Sequence, residues 1–310
     1  MIATRQAYGQ ALAEIGADER IVVLDADLSK STMTALFKEK YPERFFNCGI
    51  AEGNMMAVSA GLAAAGKVVF ASSFAIFAAG RAWEQIRNSI CYPNLNVKIC
   101  ATHAGISVGE DGATHQAIED IAIMRAIPGM VVISPADGEE TKAAVKWAAE
   151  YEGPVYIRLG RLAVPDVRSA ELGVRSFEVG KGTMLREGND VAIIATGLLV
   201  HKALEAAAEL EKEGISARVI NMASIKPIDR DIIIAAAREA KGIVTAEEHN
   251  IYGGLGSAVA EVVCQHAPCR IEMVGVEDKF GRSGKPDELL SLYGLTAANI
   301  IEKCQKILKA

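Results

Sequence analysis

Residues 102–116 read Thr-His-Ala-Gly-Ile-Ser-Val-Gly-Glu-Asp-Gly-Ala-Thr-His-Gln. They follow an apolar run at 97–101 that predicts a buried strand, and they precede a pattern of apolar residues at 118–124 that predicts a helix. Three glycines, two histidines and two adjacent carboxyl groups are poor material for a core. In an α/β fold, polar loops at strand ends are where ligands bind. The stretch therefore predicts both one unit of an α/β sheet and a candidate site.

The titratable residues of this loop suit proton transfer and hydroxyl binding. His103 and His115 can each donate or accept a proton near neutral pH, and Asp111 can accept a hydrogen bond from a hydroxyl group. The loop glycines let the backbone approach a ligand closely. Two alternatives stay open: a simple turn with capping histidines, and a zinc site that also uses Glu110. Zinc is the weaker alternative because no compact spacing such as HExxH is present, and we predict no metal site.

Length, charge and cysteine content narrow the class of protein. A chain of 310 residues, half of them hydrophobic, can bury a sizeable core and predicts two domains. The net charge of −6 gives no electrostatic basis for nucleic-acid binding. Six cysteines without a CxxC pair indicate reduced thiols in a cytoplasmic protein. The start of the chain lacks the blocks of a signal peptide, and Lys67 interrupts the one membrane-like stretch, so no membrane span is expected.

Predicted strands alternate with predicted helices, which is typical of mostly parallel sheets flanked by helices on both faces. The strands of the first half are predicted at 21–24, 44–47, 68–71, 97–101, 130–133 and 154–157. The helices of the first half are predicted at 4–15, 55–65, 74–90, 116–126 and 137–149. A second α/β unit has strands predicted near 190–195, 217–222, 243–247 and 271–276. Because periodicity is lost between the two units, we predict a first domain at 1–165, a linker at 166–179 and a second domain at 180–310.

Two acidic positions outside the loop are further candidates. Asp27 closely follows the predicted strand at 21–24, where ligands gather in an open sheet, although a carboxyl group there can equally cap the next turn. Glu52 precedes a helix of small and apolar residues, which must be buried and can lie at a subunit interface. A desolvated carboxyl group in that position can hold or share a proton. The equal alternative is a water-exposed glutamate that favours the helix dipole.

Two features of the second domain are open to a functional and a structural interpretation. The glycines from Gly253 to Gly256 precede a predicted helix and can cradle a phosphate, but a packing turn is favoured because the GxGxxG pattern is absent. His249 beside Glu247 and Glu248 can be catalytic, but solvent-exposed charges are the favoured interpretation.

Four separate segments together resemble the C-terminal half of transketolase. They are Arg5 in Ala-Thr-Arg, Asp27 in Asp-Ala-Asp-Leu-Ser-Lys-Ser, Glu52 in Gly-Ile-Ala-Glu-Gly-Asn, and the segment 109–116 in the loop described above. The resemblance is close for the first domain and looser for the second. It implies the thiamine diphosphate-binding pyrimidine domain fold, followed by a Rossmann-like transketolase C-terminal domain.

The resemblance implies how this chain binds the pyrimidine end of thiamine diphosphate. Glu52 would hydrogen-bond the aminopyrimidine ring and favour the imino tautomer that removes the thiazolium proton. Phe74 and Phe77 would pack on the ring. Asp27 would lie at the edge of the cofactor.

The resemblance also implies a site for sugar phosphates. His115 and Asp111 would hold sugar hydroxyls and the carbonyl group near the reactive carbon. Two arginines are suited to bidentate phosphate binding. The implied phosphate ligands are Arg5, Ser31, His103 and Arg158. With Glu52, His103 and His115 are the predicted catalytic residues.

One departure from the family pattern predicts a partner chain. The family's diphosphate and magnesium motif, Gly-Asp-Gly followed by a pair of asparagines, is absent from this sequence, and so is the N-terminal half of transketolase. We therefore predict the small subunit of a split transketolase of the pentose phosphate pathway. Its partner would be an N-terminal subunit that holds Mg²⁺ and the diphosphate, in an α2β2 heterotetramer with the cofactor at the interface. Self-association of this chain is also expected.

Three rival functions stay open. A β subunit of a 2-oxo acid dehydrogenase and part of a deoxyxylulose phosphate synthase share the Gly-Ile-Ala-Glu stretch, but the paired histidines around Gly-Glu-Asp-Gly favour a sugar-phosphate transferase. The third is a regulatory or binding module that kept the fold without the chemistry. Retention of Glu52, His103, Asp111 and His115 together argues against that module.

Overall fold

The strands are short apolar runs rich in valine and isoleucine, which favour a pleated surface covered on both faces. A computed structural model describes residues 1–167 and 177–309. In the first half the strands are β1 (Ile2–Ala3), β2 (Ile21–Asp25), β3 (Phe45–Asn47), β4 (Val68–Phe74), β5 (Val97–Thr102), β6 (Val131–Ile133), β7 (Val155–Arg158) and β8 (Ala163–Val164). In the second half they are β9 (Thr183–Arg186), β10 (Val191–Ala195), β11 (Ala217–Asn221), β12 (Ser224–Lys226), β13 (Gly242–Asn250) and β14 (Arg270–Val276).

The strands form two main sheets. The larger has the order β12-β6-β7-β5-β4-β2-β3 and is parallel except for β12. The smaller has the order β14-β13-β10-β11-β9 and is parallel except for β9. Strands β1 and β8 pair with each other in an antiparallel ribbon. The prediction of two α/β domains with mostly parallel sheets is confirmed.

Helices cover both faces of each sheet, as parallel sheets require. In the first half they are α1 (Thr4–Ile15), α2 (Ser29–Thr32), α3 (Ala35–Lys40), α4 (Glu52–Ala64), α5 (Trp83–Gln85), α6 (Asp120–Arg125) and α7 (Gly138–Glu150). In the second half they are α8 (Leu199–Lys212), α9 (Arg230–Glu239), α10 (Leu255–His266), α11 (Pro286–Leu292) and α12 (Ala297–Leu308). Among the residues described, no helix combines the length and the apolar character that crossing a bilayer requires.

Two helix predictions differ from the structure. The helix predicted at 74–90 begins later, because β4 continues to Phe74, and two π-helical turns, Ile76–Arg81 and Ile86–Cys91, flank α5. The helix predicted at 116–126 begins only at Asp120. Its first residues are instead part of the loop, where the Gly105 amide donates to the Ala117 carbonyl at 2.8 Å. Both differences place more irregular backbone beside the candidate site.

The two domains share one sheet. Strand β12 lies in the second half of the chain, yet it pairs with β6 at the edge of the larger sheet. The Ser134 amide donates to the Ala223 carbonyl at 2.8 Å, and Lys226 Nζ donates to the carbonyls of Arg125 and Ile127 at 2.8 and 2.6 Å. Of the linker predicted at 166–179, residues 168–176 lie outside the described part of the chain.

Candidate active site

The order of the larger sheet brings four segments to one edge. Strands β7, β5, β4 and β2 are neighbours and parallel, so their carboxyl ends lie side by side. Backbone strain is concentrated at the same edge, because Asp27 and Met33 beyond β2 and His103 beyond β5 have φ values of 63°, 68° and 56°. Residues with side chains rarely adopt this left-handed conformation, and it is often stored at functional sites.

Aromatic rings from β4 and the loop beyond β5 form one cluster. The rings of Phe74 and His103 are stacked, with centroids 3.8 Å apart. Phe77 lies 6.2 Å from Phe74 and nearly parallel to it, and its ring is met edge-on by His115 at 5.3 Å. The structure thus joins the two residues predicted to bind a pyrimidine ring to the two histidines predicted to act on a sugar.

Glu52 begins α4, and its side chain is only 2% exposed. Its Oε2 atom accepts a hydrogen bond from Arg81 Nη1 at 2.9 Å. The Arg81 guanidinium also lies over the Phe77 ring, 4.8 Å from the centroid, and its own side chain is 54% exposed. The Glu52 side chain is therefore buried and not exposed to water, and its role in proton sharing stays a prediction. A single exposed guanidinium links this carboxylate to the aromatic cluster.

The segment beyond β2 is held by Asp25 and not by Asp27. The buried Asp25 carboxylate accepts from the Leu28 amide at 2.6 Å and from the hydroxyls of Thr32 and Thr34 at 2.7 and 2.9 Å. Burial raises the pKa of Asp25. Asp27 is exposed and accepts from Asn47 Nδ2 at 2.8 Å. Asp25 therefore caps the turn, which leaves the Asp27 carboxylate at the surface of the site.

Ser31 lies on the same segment, and its carbonyl accepts from Arg5 Nη1 at 2.7 Å. Arg5 is on α1, whose first turn is close to the end of β7 because the Arg5 amide donates to the Gly160 carbonyl. These contacts bring Arg5 and Ser31 together, and their binding of a phosphate stays a prediction.

Two arginines, Arg5 and Arg161, lie close enough to His103 to influence its charge, and we call these three residues the cationic cluster. Burial, followed by the charges of Arg5, Arg161 and His115, lowers the pKa of His103 from 6.5 to about 3. Burial and the charge of Arg161 also lower the pKa of Arg5. His103 is therefore neutral at pH 7, in contrast to the expectation that it exchanges a proton near neutral pH. The positive charges of Arg5 and Arg161, which lie near this neutral ring, would be balanced by a bound anion.

Arg158, which was predicted to bind phosphate, points into the domain junction. Its Nε and Nη2 atoms donate to the buried Asp120 carboxylate at 2.8 and 3.2 Å. Nη2 also donates to the carbonyls of Ala117 and Glu248 at 3.1 and 2.9 Å. The charge of Asp120 outweighs burial and raises the pKa of Arg158. Arg158 is committed to a buried ion pair. Arg161 is therefore the better candidate for the arginine that binds a phosphate together with Arg5.

The carboxyl groups of the loop lie at its surface. Residues Ile106–Asp111 form a 3-10 segment. Its last residue, Asp111, is exposed, and the Oδ2 atom of Asp111 is 3.9 Å from Arg161 Nη1. His115 is half-buried, and its Nδ1 atom is 3.0 Å from the Thr114 hydroxyl. His115 therefore borders the aromatic cluster, whereas the recorded neighbour of Asp111 is Arg161. Among the described residues, no group of three or more His, Cys, Asp or Glu side chains is arranged to hold a metal ion.

The loop glycines contact the second domain, not an open ligand site. A Cβ atom on Gly105 would overlap the Glu248 carboxylate, and one on Gly112 would overlap the Ser283 hydroxyl. The prediction that these glycines admit a ligand is therefore wrong at those two positions, because protein atoms occupy the space. Sequence reasoning missed Glu248 as a neighbour of this loop, since only the fold brings them together.

The acidic pair and histidine at the end of β13 are buried, so their assignment as solvated charges is wrong. Glu247 accepts from the amides of Leu255 and Gly256 at 2.7 and 2.8 Å. The first two amides of α10, at the end of the glycine-rich segment, thus donate to a protein carboxylate, which supports the packing interpretation over a phosphate site. His249 Nε2 accepts from the Ala122 amide at 3.4 Å.

Comparisons with known proteins agree along the whole chain. Residues 1–166 match the family model of the transketolase pyrimidine binding domain, and residues 180–300 match that of the transketolase C-terminal domain. A Methanocaldococcus jannaschii protein provisionally described as a transketolase C-terminal section is 53% identical over 98% of this chain and 96% of its own length. A protein of Phocaeicola vulgatus, described as one of the subunits of an apulose-4-phosphate transketolase, is 38% identical over 100% of this chain and 98% of its own.

Solved structures and longer relatives add to this. A structure described as a split gene transketolase, an inactive beta4 tetramer, is 59% identical, covers 100% of this chain and 99% of its own, and superimposes with a TM-score of 0.92. Human transketolase is 40% identical over 95% of this chain, which spans only 47% of the human protein. With two matching family models and relatives covered almost end to end, the chain belongs to the transketolase family and corresponds to its pyrimidine-binding and C-terminal domains.

Proposed function

We propose that this chain is one subunit of a thiamine diphosphate-dependent transketolase, which moves a two-carbon ketol unit from a ketose phosphate to an aldose phosphate. The observation that carries the proposal is the joining of the buried Glu52 carboxylate, through Arg81, to the cluster of Phe74, Phe77, His103 and His115. In this proposal Glu52 and the phenylalanines bind the pyrimidine ring of the cofactor, and the histidines bind the sugar phosphate.

The residues fit the pyrimidine end of thiamine diphosphate. Phe77 offers an aromatic ring for stacking, and Glu52 offers a desolvated carboxylate as a hydrogen-bond partner for a ring nitrogen. Thiamine diphosphate, when bound, supplies the carbanion chemistry of ketol transfer. In our proposal Glu52 orients the ring and holds a proton at its nitrogen, and Arg81 moves aside from Oε2 to admit it. Asp27 contributes at the edge of the site.

For the sugar phosphate, we assign the phosphate to the cationic cluster. In our proposal Arg5, Ser31, His103 and Arg161 contact this phosphate. Burial first, and then the nearby positive charges, lowers the pKa of His103 to about 3, and a bound anion would offset the charge contribution. Asp111 and His115 then bind the hydroxyls and carbonyl group of the sugar. His115 is the proton-transfer candidate in this scheme, because the burial of His103 suits it to hydrogen bonding as a neutral ring.

A partner chain completes the enzyme in this proposal. The M. jannaschii relative is described as a C-terminal section, and the Phocaeicola relative is named as one of several subunits. This chain spans about half the length of the mammalian transketolases. We propose that Mg²⁺ and the diphosphate are held by an N-terminal subunit and that the two chains assemble as α2β2. By analogy with the structure described as an inactive beta4 tetramer, this chain alone would form an inactive homotetramer.

The first experiment is reconstitution. The purified chain, a candidate N-terminal subunit and their mixture are each titrated with thiamine diphosphate and Mg²⁺, then assayed with xylulose 5-phosphate and ribose 5-phosphate, with light scattering to follow assembly. Activity in the mixture alone is expected. Turnover by this chain alone would contradict the need for a partner, and pyruvate-dependent turnover by the mixture would favour the oxo acid dehydrogenase alternative.

Glu52→Ala tests the chemistry within the active mixture. We expect kcat to fall by roughly 100-fold or more, as for loss of an acid-base group. Glu209→Ala, an exposed glutamate on α8, is the matched control and should retain full activity. Unchanged turnover by the Glu52→Ala mixture would refute the assignment and revive a regulatory module.

A further inference from the structure

The loop that carries Asp111 and His115 is hydrogen-bonded to the C-terminal domain near its beginning. Oε1 of Glu248, at the end of β13, accepts from the Ser107 amide at 2.6 Å, across 141 positions of sequence. The neighbouring Gly105 has a φ of 86°, and its missing side chain is what lets the carboxylate approach. A charged acceptor on a buried amide is among the stronger hydrogen bonds in a protein.

The rest of the loop rests on the segment that leads into α11. Gln116 Nε2 donates to the carbonyls of Ile106 and Arg282, both at 3.0 Å, which joins the two ends of the loop and ties them to the second domain. A Cβ atom on Gly109 would lie 3.1 Å from Pro286. The loop conformation is therefore set in part by residues of the second domain, in addition to hydrogen bonds within its own domain, such as that from the Gly105 amide to the Ala117 carbonyl.

Glu248 cannot easily move away from the loop. Its side chain is buried, and its carbonyl accepts from Arg158 Nη2 at 2.9 Å. Arg158 in turn is bound to Asp120, at the start of the helix that follows the loop. Glu248 thus contacts the loop through its side chain. Through its backbone carbonyl it contacts Arg158, which is bound to Asp120 at the end of the loop.

We propose that Glu248 of the C-terminal domain is a positioning residue for the substrate loop. By accepting the Ser107 N–H it sets the backbone from Gly105 onward, and so places His115 beside Phe77 and Asp111 near Arg161. The C-terminal domain would then determine donor-sugar affinity and not serve as scaffold alone. The sugar-binding part of this inference rests on the proposed function, whereas the control of loop conformation does not.

Hydrogen exchange of the full chain tests loop control without any assay of activity. In Glu248→Ala we expect amides at 108–116, beyond the deleted bond, to exchange roughly tenfold faster. Glu248→Gln keeps an acceptor oxygen and should stay within about threefold of wild type. Glu247→Ala is the matched control, since this adjacent buried glutamate also accepts two amide hydrogen bonds, but from α10.

Equal loop exchange in Glu248→Ala and wild type, or an equal rise in Glu247→Ala, would overturn the inference. Should Glu248→Ala fail to fold, Glu248→Asp withdraws the same oxygen from Ser107 while keeping the charge, and its loop exchange is judged by the same criteria.

Kinetics of the reconstituted mixture test the consequence. We expect Glu248→Ala to raise KM for the ketose phosphate donor roughly tenfold with kcat within about threefold, and Glu248→Gln to restore KM. An unchanged KM, with or without a fall in kcat, would refute the role in sugar binding. If the wild-type mixture is inactive, the proposed function fails, and the exchange data still decide whether Glu248 controls the loop.

Discussion

Replacing Arg158 by Met separates a structural role from the phosphate-binding role expected of this residue by family resemblance. The substitution keeps most of the buried volume and removes the charge. It leaves the Asp120 carboxylate buried with the Tyr156 hydroxyl, 2.7 Å away, as a remaining partner. Removing one member of a buried ion pair costs about 3–5 kcal/mol, because the other charge remains desolvated.

That free energy converts into a measurable change in melting temperature. For a chain of this size each kcal/mol shifts the midpoint by about 2 °C, so Arg158→Met should lower it by roughly 6–10 °C. The control is Arg158→Met combined with Asp120→Asn, which removes the orphaned charge and keeps a partner for Tyr156. The double variant should be the more stable of the two, by at least about 1 kcal/mol.

The pH dependence provides an independent check. Burial alone would raise the pKa of Asp120, but the charge and hydrogen bonds of Arg158 outweigh it and hold this pKa below its ordinary value. The stabilisation is therefore present above the unfolded carboxyl pKa of about 4 and is lost as pH falls through the folded pKa. The difference between wild type and Arg158→Met should shrink at acid pH.

The opposite pattern would refute this reasoning. If Arg158→Met melted within about 2 °C of wild type while KM for the donor in the reconstituted enzyme rose tenfold, Arg158 would be a ligand and not a structural residue.

Further predictions concern the cationic cluster. Arg161→Ala should raise donor KM roughly 10- to 100-fold with little change in melting temperature, as for loss of a charged hydrogen bond. The control, Arg20→Ala at an exposed arginine, should leave donor KM unchanged. Equal kinetics for the two variants would exclude Arg161 as a phosphate ligand. Because the pKa of His103 is lowered to about 3, the unfolded state binds the extra proton, so stability should fall as pH drops from about 6.5 towards 3, and His103→Asn should lack this component. Inorganic phosphate should raise the pKa of His103 in an NMR titration, and a constant value would argue against an anion site there.

Strand positions and the α/β class were predictable because they depend on local pattern. The runs Ile21–Asp25 and Val97–Thr102 are mostly apolar segments of strand length, and both are buried strands of a parallel sheet. The burial of Glu52 did not follow from the sequence, which left buried and exposed carboxyl groups as equal alternatives. The expectation that all of α4 is buried is wrong for this chain, because Ala57, Val58 and Gly61 are exposed on its outer face. The loop at 102–116 stood out because its titratable groups interrupt apolar flanks.

The roles of the two arginines after β7 were not predictable. Arg158 and Arg161 are three positions apart, and either suits a phosphate on sequence grounds. Which one is committed to a buried ion pair depends on Asp120 and the Glu248 carbonyl, which are 38 and 90 positions away from Arg158. The glycines at 105 and 112 present the same difficulty. A glycine is needed wherever the backbone is approached closely, whether by a ligand or by another domain, so the sequence does not distinguish the two cases.

The sequence by itself therefore determined the elements, the two α/β units and the polar loop at the strand end, because hydrophobic periodicity and turn residues act within a few positions of the chain. Only the tertiary structure decided which charges are buried in pairs, that β12 completes the first sheet, and that Glu248 lies beneath the substrate loop. The free energy of a charge depends on the atoms that surround it in space, and those come from segments that no local pattern connects.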